Sequence, residues 1–93
     1  MDEIEFEWDE EKASANQRKH GVTFGKASTV FGDRLGRLVE RVDAGMDARD
    51  VIIGLSAMGR LLVVVFVERQ RIHIISARRA TPSERHDYEE AGG

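Results

Sequence analysis

Two groups of side chains in this 93-residue sequence have the types that chemistry needs. Lys19 and His20 stand side by side, and six arginines (60, 69, 71, 78, 79 and 85) fall between Arg60 and Tyr88 with His73 among them. Only Glu68, Glu84 and Asp87 oppose those arginines, so the stretch is locally +3 although the whole chain is −3. A basic C-terminal half of this kind is suited to phosphate. There is no cysteine, which excludes a disulfide framework, a thiolate metal site and a cysteine nucleophile. The histidines at 20, 73 and 86 lack the partners of an HExxH motif or a facial triad, and the sequence has neither a P-loop nor a GxGxxG turn. Ser56 and Ser76 lack the context of a nucleophile elbow.

What remains suits one reaction in particular, cleavage of RNA without a metal or any other cofactor. The neighbouring 2′-hydroxyl is then the nucleophile, and the protein has only to move protons and stabilise the phosphorane. Histidine moves protons near neutral pH. Arginine, always charged and forked, stabilises the equatorial oxygens. Each residue also has a plainer reading. His20 at a helix end complements the macrodipole. His73 belongs to the solvent face of a strand, Arg78 and Arg79 to ion pairs that dock the last helix, Phe6 and Trp8 to the core, and Glu84 to a helix cap.

The elements that would position these residues are legible in the pattern. Ile4 to Trp8 alternates apolar and acidic residues, as a strand with one buried side does. Asp9 is placed to cap a helix with Glu10 and Glu11 in its first turn, Arg18, Lys19 and His20 in its last, and Gly21 as its stop. Thr23 caps a second helix ending at Gly32. Strands follow over Leu35 to Val42, Arg49 to Leu55, Arg60 to Val67 and Arg71 to Ala77, with a loop from Asp43 to Ala48 that includes Gly45. The third is apolar on successive residues, which marks a central strand covered on both faces. In the last, alternation puts Ile72 and Ile74 on one face and Arg71, His73 and Arg79 on the other. Thr81-Pro82-Ser83-Glu84 is a capping box with proline at the first helical position, so a C-terminal helix begins there. The expected fold is α+β: an antiparallel sheet meander with two helices before it and one after. The length fits a single domain spanning residues 1–93. The longest apolar run, Leu61 to Val67, is too short for a bilayer, and the acidic start is unlike a signal peptide, so a cytoplasmic setting with no membrane association is expected.

With these residues laid out, the chain resembles the BrnT family of bacterial toxins. The stretch FEWDEEKASANQRKHGVTFGKASTVFGD carries the first signature through Phe6, Trp8, Asp9, Lys12, Asn16, Lys19, His20, Val22, Phe24 and Asp33. ISARRATPSERHDYEEA carries the second through Ile75, Ser76, Ala77, Arg78, Ala80, Thr81, Glu84, Tyr88 and Glu89. The resemblance implies a RelE-like fold, RNA cleavage, and a cognate ribbon-helix-helix antitoxin, BrnA-like, that neutralises the toxin and alone contacts operator DNA. In that light His20, Arg78 and Arg79 are the expected catalytic residues, converging on one concave surface, with Arg79 as the member that follows the pleat. Lys19, Arg49, Arg60 and His73 are expected to contact RNA. The family often has arginine where His73 stands. A rival reading keeps the fold as a non-enzymatic, antitoxin-binding module of operon autorepression, which the overall acidity suits.

The capping box yields a first prediction. Thr81→Ala should cost roughly 0.5–2 kcal/mol, the usual range for a lost N-cap. Thermal unfolding measures it, and an unchanged midpoint would show that the box contributes nothing.

Overall fold

The computed structural model describes residues 4–44 and 47–92. Among these, five strands form one sheet in the order β1-β5-β4-β3-β2: β1 Phe6–Glu7, β2 Arg37–Ala44, β3 Asp47–Leu55, β4 Leu61–Glu68 and β5 Ile72–Arg79. The helices are α1 Glu10–His20, α2 Phe24–Ser28, followed by a 3₁₀ turn Thr29–Gly32, and α3 Pro82–Gly92. None of the described helices is long and apolar enough to cross a membrane.

The unbroken apolar run becomes β4, the middle strand, buried on both faces. On one side Leu62 and Val64 join Val22, Phe24, Ala27, Val30, Ile74 and Ala77 under the segment from α1 to the 3₁₀ turn. On the other, Leu61 and Val63 join Ile53 and Tyr88 of α3. Burying each of the larger aliphatic side chains contributes about 1.5–3 kcal/mol, so β4 is where both layers of helix gain their hold on the sheet. The α+β class and the meander from β2 to β5 are as expected.

Four details differ. The first strand is only Phe6–Glu7, and it pairs parallel to β5, which makes the sheet mixed rather than antiparallel. It stops there because Trp8 turns in to meet Phe24 edge-on, ring centroids 6.0 Å apart, and Asp9 already caps α1 through the Glu11 and Lys12 amides. The second helix is broken after Ser28. The Ser28 and Thr29 hydroxyls donate to the carbonyls of Gly25 and Lys26, competing with the helical ladder, and the chain tightens into the 3₁₀ turn. The expected loop at Asp43 to Ala48 is mostly strand, β2 running to Ala44 and β3 starting at Asp47, while Gly45 lies outside the described residues. The fourth difference bears on the site. Val65 of β4 faces Ser76 and the next residue, Phe66, faces Ile74, so Ile75 is an extra residue, a β-bulge. Alternation therefore breaks at Ile75. Ala77 returns to the face of Ile74, and Arg79, opposite Leu62, follows it. Arg79 does not share a face with His73, which lies opposite Val67.

Because β1 ends at Glu7, the outer edge of β5 beyond His73 has no strand beside it. The Asn16 side chain fills that place. Its amide nitrogen donates to the Ala77 carbonyl at 2.8 Å and to the Val22 carbonyl at 3.0 Å, and its oxygen accepts from the Ala77 N–H at 3.1 Å. One buried carboxamide thus pairs with β5 as a strand would, and fastens both α1 and the segment after it. Removing it strands the buried Ala77 N–H and two carbonyls, each costing about 1–3 kcal/mol where water does not enter. Asn16→Ala is expected to lose about 2–4 kcal/mol of stability. Urea unfolding checks this, and a loss under about 0.5 kcal/mol, typical of a surface change, would refute the role.

Candidate functional site

The end of the sheet where β4 begins and β5 finishes gathers cationic side chains. A cleft of about 260 Å³ there is lined by Gly59, Arg60, Leu61, Arg79, Ala80 and Arg85. Three of the six lining residues are arginines and none is acidic. Arg60 is delivered by the turn between β3 and β4. That turn is closed by Ser56, whose N–H donates to the Arg60 carbonyl at 2.8 Å and whose hydroxyl accepts from the Arg60 N–H at 3.2 Å. Gly59 makes the corner at φ +80°, a conformation other residues rarely adopt. The turn is tied to the helical layer by the Ala57 N–H, which donates to the Thr29 hydroxyl at 2.8 Å. Arg79 comes from the last residue of β5 and Arg85 from the first turn of α3. The chain between them is pinned to β4 where the Ala80 N–H donates to the Leu61 carbonyl at 3.0 Å.

The expected site residues divide into three groups. His20 is placed by the course of α1. β1 enters alongside β5 in the same direction, and α1 continues that course until Asn16 grips Ala77. His20, one helical turn beyond Asn16, and Arg79, two residues beyond Ala77, therefore lie past the same anchor, at the same end of the sheet. His20 is half-buried and Lys19 beside it is exposed; neither lines the cleft itself. Arg78 is on the opposite face, opposite Val63, with its guanidinium occupied. It donates to both carboxylate oxygens of Glu84, at 2.8 and 2.9 Å, and to the Arg79 carbonyl at 3.2 Å. Arg49 and His73 are at the far end of the sheet. His73 lies half-buried with its Nδ1 3.1 Å from the Glu7 carboxylate, and Arg49 is exposed beside β2. Of the three residues expected to converge, only Arg79 lines the cleft, and the pleat carries Arg78 to the other face of the sheet.

Arg85 was not among the expected residues. Its signal is readable: it puts a cation in the first turn of a helix, where the macrodipole disfavours one. In the structure its nearest acid is Glu89 at 3.8 Å, an exposed i,i+4 pair that does little to neutralise it.

Glu84 and Asp33 set the electrostatics behind the cleft. The two bonds from Arg78, aided by the Thr81 N–H, outweigh burial and lower the Glu84 carboxyl to about 2. The same carboxylate completes the capping box, accepting from the Thr81 N–H at 2.8 Å while the Thr81 hydroxyl accepts from the Glu84 N–H at 3.1 Å. Asp33 feels burial, which would raise its pKa, but bonds from the Leu55 N–H, the Tyr88 hydroxyl and the Leu35 N–H prevail and hold it below the ordinary value. Its bond from Tyr88 is 2.6 Å, and it ties α3 to the end of β3. Gly54 permits the approach, because a Cβ there would sit 3.3 Å from the Asp33 carboxylate. A larger hollow, about 730 Å³, is lined by Glu5, Glu7, Arg69, Gln70 and Arg71, and its acids make it a poor seat for phosphate. Among the described residues no three histidine or carboxylate side chains are grouped as a metal site requires.

Comparison with known proteins now bears on this arrangement. The profile of a family described as the ribonuclease toxin, BrnT, of type II toxin-antitoxin system matches residues 8–84. A solved structure, the 1.1 Å crystal structure of the Brucella abortus ribonuclease toxin BrnT, has the same fold: TM-score 0.65 at 23% identity, covering 85% of this chain and 99% of that one. No curated protein sequence matches the chain.

The Asp33–Tyr88 bond makes a prediction that the composition renders clean, since Tyr88 is the sole tyrosine. Burial first, then the bond to Asp33, pushes its phenol up to about 12 from 10.0. Between those values the unfolded chain loses the proton and the folded one keeps it, so stability should fall as pH rises through that window. Titration of tyrosinate absorbance should show ionisation near 12. Ionisation at the ordinary value would show that the bond does not form.

Proposed function

The chain belongs to the BrnT family of ribonuclease toxins of type II toxin-antitoxin systems, and from that premise we propose that it is a single-domain, RelE-like endoribonuclease that cleaves RNA without a metal. The observation that carries the proposal is the cleft in which Arg60, Arg79 and Arg85 meet with no carboxylate among the lining residues. In water three like charges so placed repel. An RNA phosphate between them relieves the repulsion, and the phosphorane, with more charge on its equatorial oxygens, relieves it further. His20, leaning over from the end of α1, takes the proton of the 2′-hydroxyl as that oxygen attacks phosphorus. The P–O5′ bond breaks and the departing oxygen takes a proton from water, leaving a 2′,3′-cyclic phosphate and a 5′-hydroxyl. Lys19, exposed beside His20, meets a flanking phosphate. Arg49 and His73, at the far end of the sheet, have at most a distant part of the RNA backbone to contact. A cognate ribbon-helix-helix antitoxin, BrnA-like, neutralises the toxin in the cytoplasm and alone reads operator DNA.

A second reading, a non-cleaving module that binds the antitoxin in operon autorepression, is favoured by one observation: no proton carrier lines the cleft itself. A single assay separates the two. Purified protein should cleave single-stranded RNA in the presence of EDTA, and His20→Ala and Arg79→Lys should each lower the rate by on the order of 100-fold, since lysine keeps the charge but loses the fork. Full activity in both variants removes the site assignment, loss of activity with EDTA removes the metal-free mechanism, and no cleavage by the parent selects the second reading.

A further inference from the structure

Arg78 and Glu84 form the most fully bonded ion pair among the described residues, yet neither faces the cleft. Their sequence neighbours do. Arg79 follows Arg78 and Arg85 follows Glu84, and both neighbours line the cleft. The bridge therefore spans the two backbone segments from which the cleft arginines project, one at the end of β5 and one in the first turn of α3. Without it, two guanidinium groups on adjoining segments would push those segments apart, and the junction between them is only Ala80, Thr81, Pro82 and Ser83.

Resting on the reading of the cleft as an RNA phosphate site, we propose that the Arg78–Glu84 bridge is a positioning pair that holds Arg79 and Arg85 at one phosphate against their mutual repulsion. The local bonding supports this. Arg78 grips the Arg79 carbonyl at 3.2 Å as well as the carboxylate, so the strand end is held by the same guanidinium that holds the helix. The Arg85 N–H donates to the Thr81 carbonyl at 2.9 Å, so the turn carrying Arg85 is set by the cap that Glu84 completes. The fork-to-fork geometry fixes orientation as well as distance, which a lysine in place of Arg78 cannot do. The pair also remains charged over the whole working range, because the carboxyl titrates only near 2.

The proposal makes a claim about sign that simple electrostatics contradicts. Glu84→Gln removes a negative charge near an RNA site, which by charge alone should tighten binding. As a positioning residue, its loss should weaken binding of a non-cleavable, 2′-O-methyl single-stranded RNA on the order of tenfold, the size of one impaired arginine contact. Arg78→Lys should do the same. Thr23→Ala serves as the control for stability alone: it removes the hydroxyl that accepts from the Lys26 N–H at the cap of α2, leaves the bridge and α3, and should hold affinity within about twofold of the parent. The reversed pair, Arg78→Glu with Glu84→Arg, should recover most of the affinity lost in Arg78→Glu alone, because the link and not the place of the positive charge is what matters. Unchanged or tighter binding in Glu84→Gln overturns the proposal, as does failure of the reversed pair to recover affinity. If Arg79→Ala leaves RNA binding intact, the cleft is not the RNA site and both readings fall. If Arg79→Ala weakens binding and Glu84→Gln does not, only the positioning role falls.

Discussion

The arrangement depends on one side chain doing the work of a strand. β1 covers only the first two residues of β5, and the free edge beyond needs a partner that can both donate and accept. A carboxamide is the only neutral side-chain group that offers both functions in the spacing of a peptide. Asn16 supplies it from a helix whose other residues are mostly solvated. The consequence is topological as well as energetic. A helix held to a sheet by apolar contact alone can slide, whereas one held by a bidentate amide has a single register. That register fixes α1 against Ala77 of β5, and the same amide group, by gripping the Val22 carbonyl, starts the segment that becomes the apolar cover of the sheet.

The bulge at Ile75 acts on the same strand. Upstream of it, the alternation of β5 serves the N-terminal strand, with Ile72 opposite Phe6 and His73 opposite Glu7. Downstream, the pleat is offset by one residue, so Ala77, a residue small enough to lie flush under α1, comes to the helix side. Arg79 and Arg78 are thereby assigned to their separate faces. Were the alternation unbroken, Ser76 would stand in the place of the fully buried Ala77, opposite Val64, and Arg78 in the place of Arg79, opposite Leu62. One inserted residue thus decides which arginine is free for a ligand and which is committed to the structure.

What was legible in the sequence was local or periodic. Asp9, Gly21, Thr23 and the Thr81 to Glu84 box mark the helix ends because capping is a contest within four residues. β4 is legible because seven consecutive apolar residues, Leu61 to Val67, have no other home in a small sheet. The bulge was not, since alternation can only be read by supposing it unbroken. Nor was the burial of Asn16, which looks like any other polar residue on a polar helix. Arg78 and Glu84 were each read singly, one as a charge for phosphate and the other as a cap. A carboxylate has lone pairs enough for both a backbone N–H and a guanidinium, and that double use is visible only when strand and helix are placed together. Arg60 and Arg79 were picked out in the sequence, but their meeting with Arg85 depends on the turn at Ser56 and the exit of β5, which are non-local.

The charge pattern of the helices separates stability from function. α1 follows the macrodipole, with acids in its first turn and bases in its last. α3 does so only in part: Glu84 lies in its first turn, but Arg85 and His86 follow directly and Glu89 and Glu90 lie near its end. Its pairs, Arg85 with Glu89 and His86 with Glu90, run in the less favourable direction for i,i+4 contacts. A helix so charged is a poor one on its own, and it is held by what surrounds it: the capping box, the Arg78 bridge, and Tyr88 bonded to Asp33. Departures of this kind from local rules concentrate where a protein spends stability on a site. Here the departure puts cations at the one end of α3 that meets the cleft and acids at the other. It is one way in which a chain of net charge −3 gathers Arg60, Arg79 and Arg85 at one cleft. The Debye length is roughly 8 Å at physiological salt, so acids farther than that are largely screened from the cleft, and Glu89, 3.8 Å from Arg85, is the acid that counts against its charge.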